Sequence, residues 1–482
     1  MLIWEHADIH YPYRIRNASD LLCFVNMSNS GVPATDENIR YSMHIRLEHD
    51  IEVDEGFSWV PIGIKYDSSK MFYGVFDGAG HKITGTLDTE FVLDGSLVYG
   101  GFFGASALTV KNLTIDADIV VGYSITDGRQ GGSLCFCVGG VAAFLAQSSY
   151  GGMSNCRFTG SINVENEIQA GAYAVGGLIG MGDMGQDAMD CVSDGALNIK
   201  SLAAENVMVG GICGWSRGEG STSHGGFTGI VNRTPIMIGD YRCDRLYVGG
   251  IYGAAFDDVD NAARNDRIVG CENYGPIDIV GGSTLYLGNP GAEPDAYTYV
   301  GGIVGYAARP DCFESNTNYA GITVKDVESN TFVGGLCGHV GGLSKSCVNE
   351  GSVTNASGYG RATGGCFGVS SSDVFDCRNL GAVYGTGYTG GIVGEAVKDG
   401  VHGCLNSADV DGTNAVDFEE QGRDYAVGGI AGAALSSAVV YSCCVNEGSV
   451  QGAEPLADTY YLYVGTGNVD VEPCGGDHSQ WE

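Results

Sequence analysis

The feature that most constrains this chain is a hexamer, apolar-Gly-Gly-apolar-apolar-Gly, whose Gly-Gly pair starts at Gly100, Gly139, Gly176, Gly210, Gly249, Gly301, Gly334, Gly364, Gly390 and Gly428. The clearest copies are Val175-Gly176-Gly177-Leu178-Ile179-Gly180, Val300-Gly301-Gly302-Ile303-Val304-Gly305 and Val427-Gly428-Gly429-Ile430-Ala431-Gly432. The interval varies from 26 residues (Gly364 to Gly390) to 52 (Gly249 to Gly301), so a fixed core alternates with loops of free length. A second motif, Cys-x-Asn-x-Gly-x-Val/Ile, falls between successive hexamers at Cys271, Cys347, Cys377 and Cys444. Weaker copies start at Cys156, Cys191, Asn316 and Cys404.

Short apolar segments punctuated by Gly at a fixed phase cannot bury a face alone, whereas stacked coils make a continuous core and parallel ladders. The sequence therefore predicts an all-β fold, a parallel β-helix (β-solenoid) of about ten to eleven coils, near 50 Å long at roughly 4.8 Å per coil. Its expected hand is right, the usual hand of a β crossover. Gly is 79 of 482 residues, about 16% against roughly 7% in an average protein, as corners with positive φ and close backbone approach require. Only 10 Pro fit a ladder that uses nearly every N–H.

Ser19-Asp20-Leu21-Leu22-Cys23-Phe24-Val25-Asn26-Met27-Ser28-Asn29 reads as a short amphipathic helix opened by a capping Ser19, placed to cover the first coil and protect its edge. Strands are expected around His44 to Val53 and Phe72 to Phe76, with Asp77-Gly78-Ala79-Gly80 turning into His81-Lys82-Ile83-Thr84. Tyr460 to Val471 is expected to form a final partial coil. The division is 1–70 as N-terminal cap, 71–465 as β-helix and 466–482 as tail.

Lys+Arg 24 against Asp+Glu 58 gives a formal charge of −34, which argues against a nucleic-acid partner or an anionic membrane surface. With 44% hydrophobic residues the chain has material for a core, which argues against disorder. The ends carry neither a recognisable secretory signal nor an apolar anchor, so the chain reads as soluble with no membrane insertion, a monomer or part of something larger.

Trp59-Val60-Pro61-Ile62-Gly63, then Gly74-Val75-Phe76-Asp77-Gly78-Ala79-Gly80-His81-Lys82-Ile83-Thr84-Gly85, then Gly100-Gly101-Phe102-Phe103-Gly104, resembles the opening of GLUG-repeat proteins. The Val-Gly-Gly-Ile-Val-Gly and Cys-x-Asn-x-Gly units resemble that family's repeat over residues 15 to 465. The resemblance implies a bacterial surface or secreted protein, with repeats of the kind found beside immunoglobulin A protease domains, where the solenoid displays or adheres. No His-Glu-x-x-His zinc-protease motif is present.

Cys156, Cys191, Cys271, Cys347, Cys377, Cys404 and Cys444 share one repeat phase and so stack as a column. Parallel Cβ vectors are poorly aimed for bridges, so a ladder of buried reduced thiols is preferred over disulfides or a metal. Asn273, Asn318, Asn349, Asn379, Asn406 and Asn446 are expected to form a ladder of amides along the axis. His6, Asp8 and His10 would share a strand face and are the weak metal candidates. The loops with Asp257, Asp258, Asp260 and Asp266, or with Asp417, Glu419, Glu420 and Asp424, offer carboxylates for Ca²⁺, the one cofactor to consider.

If the hexamer alternates as a regular strand, position four points inward and position five outward. The outward stripe would then hold Phe103, Ile179, Cys213, Tyr252, Val304, Cys337, Phe367 and Val393, a binding surface for a host glycan or surface protein. The competing possibility is that Gly-Gly introduces a bulge and the stripe lies inside. The functional expectation is a non-enzymatic, adhesin-like or display segment at the bacterial cell surface or outside it. The alternative is a carbohydrate-active enzyme, a lyase or glycoside hydrolase, with Asp257, Asp258, Arg264 and Arg267 in the 254–299 loop region.

Overall fold

The computed structural model describes residues 12–472 except 31–42, 54–57, 65–70, 90–91, 122–133, 147–151, 166–168, 184–186, 218–225, 256–265, 284–295, 309, 414–426, 436–438, 453–463 and 467–469. Its strands form a single wound sheet, parallel except where Val92–Asp94 runs antiparallel against Leu97–Tyr99. The fold is a parallel β-solenoid, as the repeats predict.

The hexamers stack in register. Gly101, Gly139, Gly176, Gly210, Gly249, Gly301, Gly334, Gly364, Gly390 and Gly428 are successive ladder partners. In the first coil the partner is Gly101 rather than Gly100, and a register shift between Gly139 and Ala142 absorbs the difference.

The two motifs interlock. The second glycine of each hexamer lies against the Asn of the Cys-x-Asn motif: a Cβ on Gly250, Gly302, Gly335, Gly365 or Gly391 would overlap the amide of Asn273, Asn318, Asn349, Asn379 or Asn406. The Asn side chains are fully buried from Asn232 to Asn406. Each Nδ2 donates to the Oδ1 of the next Asn, from Asn232 to Asn273 (2.8 Å) onward through Asn318, Asn349, Asn379 and Asn406 to Asn446 (2.7 Å). The same Nδ2 also donates to the carbonyl two residues on, as Asn349 does to Gly351 (2.7 Å), so the buried amide donors are used. Asn232 opens this ladder although its coil has Ile230 in place of Cys.

The residue just before the Cys position adopts a left-handed conformation in coil after coil: Asn112, Asn155, Asp190, Gly229, Gly270, Ser315, Ser346, Asp376, Gly403 and Cys443, all with φ between 49 and 63°. This is the corner that turns the chain into the Cys-x-Asn strand. It explains why Asn, Asp and Gly recur there, since these residues tolerate positive φ best. Ser346 is exposed at such a corner with φ 55°. Ser346→Gly is expected to raise stability by roughly 0.5–1 kcal/mol, relief of strain outweighing the extra unfolded-state entropy. A urea titration giving an unchanged or lower midpoint would contradict that reading.

The thiol column is real and buried, interrupted by Ile230 and by Asn316, whose Nδ2 donates to the Ile268 carbonyl (2.8 Å). No disulfide joins the described cysteines. Burial pushes the Cys271 thiol up to about 12 and lifts Cys347, Cys377 and Cys404 well above the ordinary thiol value. Those four thiols are therefore poor nucleophiles at neutral pH, whereas a hydrogen bond with Cys156 holds Cys191 below the ordinary thiol value.

At the N-terminal end, Tyr13–Ile15 pairs with His44–Leu47, which pairs with Phe72–Asp77. Helix α1 spans Ala18–Asn29 and is capped by Asn17 rather than Ser19: the Asn17 side chain accepts from Asp20 N at 2.9 Å. It buries Leu21, Phe24 and Val25, with Phe24 edge-on to Phe72 at 5.5 Å, while Leu22 stays half-buried. Asn29 pins the helix end by donating to the Pro61 carbonyl and accepting from Gly63 N. The other expected strands appear at Ile51–Val53 and Lys82–Thr89. Val464–Thr466 and Asp470–Glu472 add a partial coil on Ala431–Ala433 and Val440–Ser442.

Candidate functional site

The stripe expected on the outside is inside. Phe103, Ile179, Cys213, Tyr252, Val304, Cys337, Phe367 and Val393 do form one ladder column, but all are buried in the main core, as are the position-four residues. The reason lies in the corner. The tight turn at Gly-Gly brings both apolar residues to the interior, and the chain changes side only at position six. Val304 is in the core and Tyr306, two residues on, is not. Strict two-residue alternation therefore fails at Gly305.

The residues that face away from the main core flank the hexamer and form further buried clusters. Phe136 and Val138 point into the core while Cys137 between them does not. The column one place before the hexamer runs Tyr99, Cys137, Ala174, Met208, Tyr247, Tyr299, Phe332, Ala362, Tyr388. The column one place after it runs Ala105, Phe144, Met181, Trp215, Ala254, Tyr306, His339, Val369, Glu395. Side chains from the two columns touch: Tyr99 and Phe144 have ring centroids 6.4 Å apart, Tyr299 and Tyr306 5.0 Å. Outer faces of consecutive strands that touch require a re-entrant corner, so the solenoid carries a concave groove along its axis. Glycine forms its vertex: a Cβ on Gly305 would press on Val248 N, and one on Gly338 on Val300 N, at 2.6 Å each.

The groove is most aromatic over four coils. Tyr247, Tyr299 and Phe332 stack along the axis at 5.7 and 4.9 Å, and Tyr306 stacks on His339 at 4.6 Å. Tyr297, Tyr299, Tyr306 and Tyr388 are half-buried, so rings fill the groove while their rims reach its surface. Burial pushes the Tyr306 hydroxyl above its ordinary value, so it stays protonated at neutral pH. Burial lowers His339 to about 4, which keeps the ring neutral, with Nε2 3.2 Å from Ser371 Oγ. Farther along, Glu395 is held by Arg361 (3.2 Å), whose guanidinium also lies over Tyr388. Burial raises the Glu395 carboxyl and Arg361 pulls it back. Arg245 is exposed beside this stretch, in ladder register with the rim residue Tyr297.

Most of the other sequence candidates cannot be placed. His6, Asp8 and His10 lie outside the described residues, as do Asp257, Asp258, Asp260, Arg264, Asp417, Glu419, Glu420 and Asp424. Arg267 is exposed on the strand Asp266–Val269. Among the described residues no group of three or more His, Cys, Asp or Glu could hold a metal ion, and no helix is long and apolar enough to cross a membrane. The flanking columns were legible in part: Tyr247-Val248-Gly249-Gly250, Tyr299-Val300-Gly301-Gly302 and Phe332-Val333-Gly334-Gly335 each place an aromatic before the hexamer.

No protein-family model matches the chain, and no curated protein matches it. Among solved structures, the chain is similar to the crystal structure of a putative immunoglobulin A1 protease from Bacteroides ovatus, at 14% identity and a TM-score of 0.33, over 97% of this chain and 86% of that one. That likeness is too distant to carry an argument about site or activity.

Proposed function

We propose that this chain is an adhesin-like or display solenoid of a bacterial surface or secreted protein, binding a host glycan or surface protein along the concave groove. The observation that supports it most is the outward row of half-buried tyrosines, Tyr297, Tyr299, Tyr306 and Tyr388, on a rigid ladder. Amphipathic rings of this kind supply large contact area at low entropic cost. The resemblance to GLUG repeats points to the same setting. The alternative, an enzyme with its site in the 254–299 region, rests on residues most of which lie outside the described ones.

The test is saturable binding of the reduced chain, with Ca²⁺ present, to arrayed host glycans and matrix proteins. Tyr297→Ala/Tyr306→Ala is expected to weaken binding by about 2 kcal/mol, roughly 30-fold, the scale of an interface hot spot. Tyr274→Ala, which removes an exposed tyrosine stacked on Tyr319 elsewhere, is expected to leave it unchanged. Equal affinity in all three proteins would sink the groove. New reducing ends or unsaturated products from a bound glycan would put the enzyme first.

A further inference from the structure

Three successive coils on a different face bring a serine, a histidine and an aspartate together. Ladder pairing sets Phe375, His402 and Ser442 one above another. Ser442 Oγ lies 2.7 Å from His402 Nδ1, and Asp373 Oδ1 lies 3.5 Å from His402 Nε2. Asp373 is itself fixed, accepting from Gly400 N at 2.7 Å. Phe375 stacks on the imidazole at 4.8 Å and shields one face. All of these side chains are half-buried rather than enclosed.

We propose that Ser442, His402 and Asp373 form a nucleophilic triad that accepts acyl groups from small esters, a chemistry separate from groove binding. In the tautomer the reaction uses, the ring proton is on Nε2, toward the Asp373 carboxylate, and Nδ1 accepts the Ser442 hydroxyl proton. The arrangement of nucleophile, base and orienting carboxylate is the one that acyl transfer uses on unrelated folds, here with the two ring nitrogens exchanged.

In the step proposed, Ser442 Oγ attacks the ester carbonyl carbon as its proton passes to His402 Nδ1. The carbonyl re-forms, the bond to the alcohol oxygen breaks, and that oxygen leaves with the proton from His402. Water then adds to the acyl-serine, giving its proton to Nδ1. The acyl–Oγ bond breaks, the carboxylic acid departs and Ser442 regains its proton. Asp373 stabilises the imidazolium formed in each half. Phe375 offers an apolar shelf beside the nucleophile for a short acyl chain.

The test uses the full chain with a fluorophosphonate probe and with p-nitrophenyl acetate. Peptide mass analysis is expected to locate the label on Ser442 at least about 10²-fold faster than on Ser449, a surface serine bonded to Asp409 with no histidine, as activation by a general base implies. His402→Gln is expected to abolish labelling, Asp373→Asn to slow it, and Ser442→Ala to abolish ester turnover with the β-sheet circular dichroism unchanged. Labelling of Ser442 no faster than Ser449 in the unaltered protein would overturn the proposal, and that readout needs no variant to fold. Turnover that survives Ser442→Ala would overturn it as well.

Discussion

Gly335→Ala is expected to abolish cooperative folding of the central coils, a loss of more than about 4 kcal/mol. The added methyl would overlap the Gly365 carbonyl oxygen on one side and the Asn349 amide on the other. Neither can give way. The first is backbone in the next rung, and the second is locked between Asn318 and Asn379 by hydrogen bonds of 2.8 Å each. Gly358→Ala is the matched control, because no atom lies within 4 Å of its added Cβ. There the substitution is expected to be neutral or stabilising by up to about 1 kcal/mol, through the unfolded state. Urea titrations with hydrogen exchange resolved by peptide separate the two. Similar midpoints for both variants would show that the glycine is not needed for close approach.

Asn349→Ala is expected to cost about 2–4 kcal/mol. The truncation removes a donor from Asn379 and from the Gly351 carbonyl, and an acceptor from Asn318, all in a site closed to water. Each buried polar group left without its partner costs about 1–3 kcal/mol. The neighbouring amides keep their second bonds, as Asn318 does to the Ala320 carbonyl, which holds the sum below a full count. Exchange is expected to rise in the coils on both sides of residue 349, since a solenoid rung is stabilised by its nearest neighbours. Exchange confined to the substituted coil would mean that the amides do not couple the rungs.

The stacking of coils and the positions of the Asn and Cys columns could be read from the sequence because each depends only on repeat phase. Residues at the same phase must superpose whatever the loops between them do. The side to which a residue points depends instead on local backbone geometry, and there the reading of Tyr252 or Phe367 as surface residues failed. A turn as tight as Gly-Gly resets the alternation, which a pattern count cannot detect. The groove needed two columns six or seven residues apart in each coil to be seen facing one another. Ser442 and His402 are 40 residues apart in sequence and meet only because the intervening loop closes one coil.

The amide ladder has a direction. Every described link from Asn232 to Asn446 runs from a nitrogen in the earlier coil to an oxygen in the later one. A coil that has just closed therefore holds an interior N–H whose acceptor has not yet been threaded, while its own oxygen is already engaged by the coil before. Helix α1 covers the opposite end. The two faces of a rung are thus chemically different, an amide donor toward the coil that follows and an amide acceptor toward the coil before, so rungs fit together in one order only.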